Sequence, residues 1–549
     1  MGDPFLNYLS MSILPRRYRL FFPFALVASI LFFAKTAVLA EGNLEQDFAT
    51  PPDFAKPRVY WFWLFNRVDK AGITRDLEQF KAKGISGVNL ICNGGYAGAA
   101  PLPGVTYQSP EWWELFRHAV KEARRLNIEL GFNFSASCWV MLGPWVTPDN
   151  AMKKVVQADL NVEGPKKFSD KLPQPDTVDG YYRDYCVQAI PHRGAGVAIH
   201  PENILDLTDK LQPDGRLEWD VPAGQWTILR TGYMVTTEGQ FKHAYPNGDT
   251  YEGGAGYQID FLNAAAFDDH FKHLGEPILK AAREAGGHIA YLWSDSWEAG
   301  KLTWTQDFPE QFRKYRGYDL KPYLPALPGA ISWVDYTATF TATAATQTMA
   351  FVGTDLAGGD NTVFIDNVQM VSAGGASVTV PNFGFESPSL GAGKHQYNPA
   401  GGSWTFSGDG ANPTGSGLCG NGSAFGNPNA PQGEQAAFLQ GTGTFSQTIS
   451  GLIPGTNYTI TFAAGQRPGN AQTWNVKMDD AVVGCYQPGT GVTIVNDDVT
   501  ARFRADFDRT IQDCLADNFY GHFADVCHSN GMIMGNEAAG PNNIPPKTR

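Results

Sequence analysis

Apolar and polar positions alternate along this chain with two different periods. Residues 58–65 (RVYWFWLF), 86–92 (SGVNLIC) and 128–134 (IELGFNF) are short apolar runs, the pattern of strands buried on both faces. Between them the period lengthens. Residues 70–83 set Ile73, Leu77 and Phe80 along one helical face before a stop at Gly84, and Pro110 opens a second helix that runs to Leu126. Strand-then-helix repetition predicts a parallel α/β architecture.

The pattern breaks twice. Residues from about 155 to 250 carry short strand-like pieces and turns, such as LEWDVPAGQWTIL at 217–229, which predict a small β-rich subdomain. A helix over 264–285, a strand over 289–293 and a helix over 308–315 restore the first pattern. Residues 330–494 then turn rich in Gly, Thr, Ala and Asn, with alternating runs such as YTITF at 458–462 between glycine turns. That predicts a β-sandwich. From Asp497 the earlier composition returns, with a long amphipathic helix over 503–530 and a last strand over 531–537 that ends in an acid. The expected fold is therefore a (β/α)8-type barrel, over 41–329 and 495–549, interrupted by a jelly-roll-like sandwich over 330–494. The sandwich's own order is unusual. Residues 336–368 read as closing strands and 380–386 (VPNFGFE) as an opening, so either two partial modules abut or one is circularly permuted. The chain stops at Arg549, after about the fifth barrel strand, so the expected barrel is incomplete.

The first 40 residues read as an address. Arg16, Arg17 and Arg19 precede an apolar run over 20–34, and Val38-Leu39-Ala40 supplies small residues before Glu41. These are the parts of a secretory signal, predicting a secreted or periplasmic protein with no membrane span after cleavage. A retained N-terminal anchor is the alternative. A net charge of −13 argues against nucleic acid or an anionic membrane as main partner, because both need a basic face. Seven cysteines are few for a secreted chain of this size. Cys419 and Cys485 share the glycine-rich region and are the pair most open to a disulfide. Without a C-x-x-C, and with His270-x-x-His273 standing alone, a zinc enzyme is not expected.

If the units form a barrel, chemistry belongs at the C-terminal ends of its strands. Those ends are Asn66, Asn93, Asn133 with Ser135, Asp295 with Glu298, and Asn536 with Glu537. Polar residues thus leave five strands that are themselves almost wholly apolar. Ordinary solvation of loops, or a capping Asp295, would produce some of this. Five in succession favour a site. Trp293 and Trp297 are interleaved with Asp295 and Glu298, and flat indoles beside carboxylates suit sugar chemistry. Glycosidases of the two-carboxylate type need one protonated and one ionised group. Glu298 and Glu537 fit best as that catalytic pair, each followed by a space-leaving alanine. The aromatic setting of Glu298 favours the acid role, although which glutamate is acid and which is base stays open. Asp295, Asn93, Asn133 and Asn536 are candidate substrate-binding residues, and Trp139 and Trp145, after the third strand, are candidate sugar platforms.

Several segments together resemble the family 106 glycoside hydrolases, the α-L-rhamnosidases. They are Tyr60-Trp-Phe-Trp, Gly72-Ile-Thr-Arg-Asp-Leu, Pro110-Glu-Trp-Trp-Glu-Leu-Phe-Arg-His-Ala, Gly143-Pro-Trp-Val-Thr-Pro-Asp, Asp295-Ser-Trp-Glu-Ala-Gly, Pro322-Tyr-Leu-Pro-Ala and Asp517-Asn-Phe-Tyr-Gly-His. The resemblance covers roughly 50–329 and 495–540. It implies a (β/α)8 barrel, removal of terminal α-L-rhamnose with inversion, association with calcium, and a catalytic role for Glu298 and Glu537. The metal ligands are not identified by it. The sandwich resembles secreted carbohydrate-binding modules. Two other readings follow: a catalytically inactive carbohydrate-binding protein that uses Trp404, Tyr397 and Trp474, and a barrel hydrolase for another deoxy or acidic sugar.

Overall fold

A computed structural model describes residues 44–93, 104–135, 141–175, 177–191, 198–236, 240–241, 256–295, 302–327, 333–356, 361–408, 414–467, 472–486 and 492–536. Its organising element is a five-stranded, all-parallel sheet. The strands are β1 (Arg58–Leu64), β2 (Gly87–Asn93), β3 (Glu129–Asn133), β4 (Tyr291–Ser294) and β5 (Ile533–Asn536), lying side by side in chain order. Two strands adjacent in this sheet, β4 and β5, are separated in sequence by the entire sandwich.

The helices begin where the sequence supplies caps. Asp69 accepts the backbone N–H of Gly72 at the start of α1 (Lys70–Ala82), and Ser109 accepts that of Trp112 at the start of α2 (Pro110–Leu126). The predicted helix over 264–285 is one rod with a wide turn in it: Ala264–His270 and Glu276–Glu284 are joined by a π-helical segment, Phe271–Gly275. The later rod has the same construction. Asp497–Cys514 starts on an Asn496 cap, earlier than predicted, and passes through Leu515–Gly521 to His522–Ser529. These helices cover one face of the sheet. Trp61, Trp63 and Phe132 point into them and are buried, with Trp63 edge-on to Trp112 and Phe132 edge-on to Phe116.

The sequence predicts an incomplete barrel, and the five parallel strands form an open sheet. Among the described residues the sheet does not close, because β1 pairs only with β2 and β5 only with β4. The strands are therefore not buried on both faces. Tyr60, Phe62 and Leu64 on β1, and Ile533 on β5, stand exposed on the face away from the helices. On that inner face two glycines let aromatic rings lie across neighbouring strands. A Cβ on Gly131 would fall 2.0 Å from the Tyr291 ring, and one on Gly535 would fall 2.3 Å from Trp293.

The β-rich subdomain is an antiparallel four-stranded sheet built on the long antiparallel pair Lys153–Lys171 and Arg216–Val235, with its own small core around Val187, Leu217 and Ile228. The sandwich is a single module. Trp333–Thr341 pairs with Asn457–Gln466, Thr346–Gly353 lies between Thr444–Ser450 and Trp474–Met478, and Thr362–Ser372 joins Gln435–Gln440 to Asn457–Gln466. Its early strands thus sit inside sheets made by its late ones, which excludes two abutting halves. Cys419 and Cys485 do not pair. Cys419 is buried in one sheet with its thiol toward the Ala436 carbonyl, and Cys485 is exposed on an edge strand of the other. Among the described residues no helix is long and apolar enough to cross a membrane.

Candidate active site

Parallel strands bring their C-terminal ends to one edge, so the sheet gathers the strand-end residues by construction. Leu64 is level with Asn93, Trp293 with both Asn133 and Gly535, and Ser294 with Asn536. Asn133 and Asp295 are buried there. Asn133 shares the inner face with Trp293, because Phe132 takes the helix side. Asn536 has the other parity. It is level with Ser294 and follows Met534, which packs on the helix-side core, so the strand directs it toward the helices. Glu298, Glu537 and Trp139 lie outside the described residues.

Asn66 and Ser135, two of the predicted strand ends, complete this edge, while Asn89, which the sequence pattern did not single out, lies in mid-strand level with Tyr60 and Gly131. Asn66, just past β1, is fully buried, and it and Phe65 both hold positive φ, 49° and 53°. Two consecutive non-glycine residues there store strain, which is commonest at functional sites. Neither amide atom of Asn66 has a partner, nor does either of Asn89, nor the hydroxyl of Ser135, nor the buried amide of Gln258. Asn89 could have been found: it is the one amide inside the apolar run of β2. The inner face also holds a cavity of about 460 Å³ lined chiefly by Tyr60, Asn89, Tyr291, Trp293 and Gly535. The Tyr291 hydroxyl and the Trp293 indole N–H make no hydrogen bond.

Trp145, one of the predicted platforms, is tied into the packing through its ring. Its indole N–H donates to Nδ1 of His270 at 3.1 Å, its ring stacks on His273, and its edge lies against Gly143. His270 accordingly holds its proton on Nε2 and donates it to the Phe134 carbonyl at 3.0 Å. Burial lowers the pKa of His270 to about 4, so the ring is neutral. This chain of contacts fastens the segment after β3 to the helix behind it. The cations buried among the described residues are also engaged. Lys153 donates to the carbonyls of Asp149 and Ala151 and faces Asp260 at 3.4 Å, and Arg230 grips Asp184. Burial raises the pKa of Asp260, and Lys153 opposes the shift.

The Glyco_hydro_106 family model, described as alpha-L-rhamnosidase, matches residues 49–193 and 180–337, together just over half of the chain. The chain belongs to this family. Glyco_hydro_106 therefore accounts for β1 to β4, the subdomain and the helices between them, and its match ends as the sandwich begins. A second family model, described as HpiC1 cyclase, matches residues 376–500. It starts after the strands that read as closing ones, consistent with a permuted module. A putative beta-glucuronidase of Formosa agariphila is 34% identical over 332 residues, which is 55% of this chain and 28% of that protein. The rhamnosidase from Novosphingobium sp. PP1Y superposes with a TM-score of 0.40 at 22% identity, over 52% of this chain and 42% of its own. The chain thus spans under a third of the curated relative and under half of the solved one.

Proposed function

We propose that this Glyco_hydro_106 chain carries the sugar site of a secreted or periplasmic glycoside hydrolase that removes terminal α-L-rhamnose from plant or bacterial glycans and glycosides. In this reading the five strands belong to a (β/α)8-type barrel, and Glu298 and Glu537 flank the scissile bond as acid and base. Inversion needs them about 6.5–9.5 Å apart, leaving room for the attacking water. The observation that supports the reading is a set of buried polar groups without hydrogen-bond partners among the described residues: Asn66 and Ser135 just past the C-terminal ends of β1 and β3, and Asn89 on the inner face of β2. Such groups cost free energy unless something meets them, and a sugar's hydroxyls would.

The inactive carbohydrate-binding reading loses its residues. Trp404 and Trp474 are buried in the sandwich core, and the Tyr397 hydroxyl is bonded to Gln440. For calcium, no group of three or more His, Cys, Asp or Glu converges among the described residues, so no step is derived through a cation.

The test is hydrolysis of 4-nitrophenyl α-L-rhamnoside against the β-D-glucuronide, with the first-formed anomer read by NMR. Rhamnose release with inversion is expected. Glu298→Gln and Glu537→Gln should each lower kcat by about 10²–10⁴-fold. Unchanged turnover in both variants sinks the assignment of the pair.

A further inference from the structure

Where the subdomain meets the sandwich there is a second cleft, of about 230 Å³. Its subdomain wall is the middle of the long antiparallel strand pair, where Asn161, Val162 and Glu163 pair with Thr227, Trp226 and Gln225. Its sandwich wall is built by Trp333, Asp335 and Asn367. The lining has a distinct chemistry. Asn161, Gln225 and Asn367 are amides, Glu163 and Asp335 are carboxylates, and no lysine or arginine lines it.

The two tryptophans are held rigidly. Trp226 donates its indole N–H to the Pro222 carbonyl at 3.2 Å and stands edge-on to Trp219. Trp333 donates to the Asn429 carbonyl at 2.8 Å. Asn367 sits in a β-bulge, where the register between Thr362–Ser372 and Asn457–Gln466 shifts, and has φ of 51°. Bulges of this kind re-aim a side chain, and they cluster near functional sites. Acceptors and amides without a cation suit a neutral polyhydroxylated ring. They disfavour a phosphate, a sulfate or a uronic acid, which would face two carboxylates and no lysine or arginine among the described lining residues. The volume is below the roughly 300–1,000 Å³ of clefts for drug-sized ligands, so it admits a single ring, not a chain.

We propose that this cleft is a second carbohydrate subsite, which holds one neutral monosaccharide residue of a glycan at the junction of the two modules. It does not depend on the strand-end site or on hydrolysis there. The test uses the full chain labelled with 5-fluorotryptophan, the Trp226 resonance being assigned as the signal missing from Trp226→Phe. The probes are methyl α-L-rhamnoside, methyl β-D-glucoside and methyl β-D-galactoside, with D-glucuronate as charged comparator. The Trp226 signal should move saturably with at least one neutral glycoside and stay still with glucuronate. Glu163→Gln and Gln225→Ala, both at exposed positions, should each weaken that binding about fivefold, the worth of one hydrogen bond, and leave 4-nitrophenyl rhamnoside hydrolysis unchanged. A Trp226 signal unmoved by all three neutral glycosides up to about 50 mM, well above millimolar affinity, overturns the proposal. So does an equal response to glucuronate, or full affinity in both variants.

Discussion

The parallel sheet and the inserted sandwich treat their buried polar groups in opposite ways. In the sandwich they are answered locally. Gln472 closes a pair of hydrogen bonds with the Gly441 backbone, Gln440 donates to Thr362, and the Ser416 hydroxyl bridges two strands. Its few orphans, such as the indole N–H of Trp474 and the amide of Gln466, are scattered. Around the sheet several orphans lie on its inner face or just past its C-terminal strand ends, Asn89 and Tyr291 among the first, Ser135 and strained Asn66 among the second. Groups left unmet in one place are groups kept for something else, whereas groups met in place hold a scaffold together.

Several experiments would break or sharpen that contrast. The largest effect of a substitution on stability should come from the buried pair at the start of the strand Lys153–Lys171. Lys153→Met leaves the buried Asp260 without its cation, and should cost about 3–5 kcal/mol in urea unfolding. The double variant Lys153→Met/Asp260→Leu should recover most of that loss. A double variant as unstable as the single one would show that the pair does more than neutralise itself.

Next come matched amide deletions in the two regions. Gln472→Leu strands the Gly441 backbone and should destabilise by about 1–3 kcal/mol. Asn89→Leu removes a side chain that has no partner to strand, so it should be neutral or slightly stabilising while it weakens substrate binding. Equal destabilisation by both substitutions would erase the distinction between scaffold and site.

A further contrast is one of pH, and its sign should differ between the two regions. His270 has a folded pKa of about 4, below its usual value, because burial disfavours the charged ring. The unfolded chain then binds more protons between about pH 6.5 and 4, so the sheet region should lose stability as pH falls through that window. Burial pushes Asp366, in the sandwich, up to about 8, against hydrogen bonds from the backbone of Asn367 and Gln432. There the folded state holds the extra proton, so the sandwich should lose stability as pH rises from about 4 to 8. Calorimetric scans across pH should show two transitions drifting in opposite directions, and Asp366→Asn should flatten the alkaline drift. Transitions that move together would contradict the assignment.

Much of the parallel sheet was legible in the chain, and the reason is local. Strand and helix periods are written within ten or fifteen residues, as in RVYWFWLF and in the spacing of Ile73, Leu77 and Phe80, and caps such as Asp69 and Ser109 mark the starts. The candidate site was legible only in outline. That Asn93, Asn133, Asp295 and Asn536 come to one edge follows from parallel strands alone. That Asn133 and Asn536 have opposite parities follows from register, which no local pattern contains. Trp145 shows the same limit. A tryptophan beside Gly143 and Pro144 after a strand has the look of an exposed platform, and only the arrival of His270 and His273 from a distant helix makes it part of the packing.

The sequence by itself determined the periods, the segments that identify the family, and the place where one composition gives way to another. Only the tertiary structure decided that the sandwich is one module, that Trp404 and Trp474 belong to its core, that Cys419 and Cys485 sit in different sheets, and that Asn66 and Asn89 are buried without partners. The division has a physical cause. A residue's backbone preference is set by its neighbours in the chain, but its burial, its partner and its charge state are set by groups that reach it from far along the sequence.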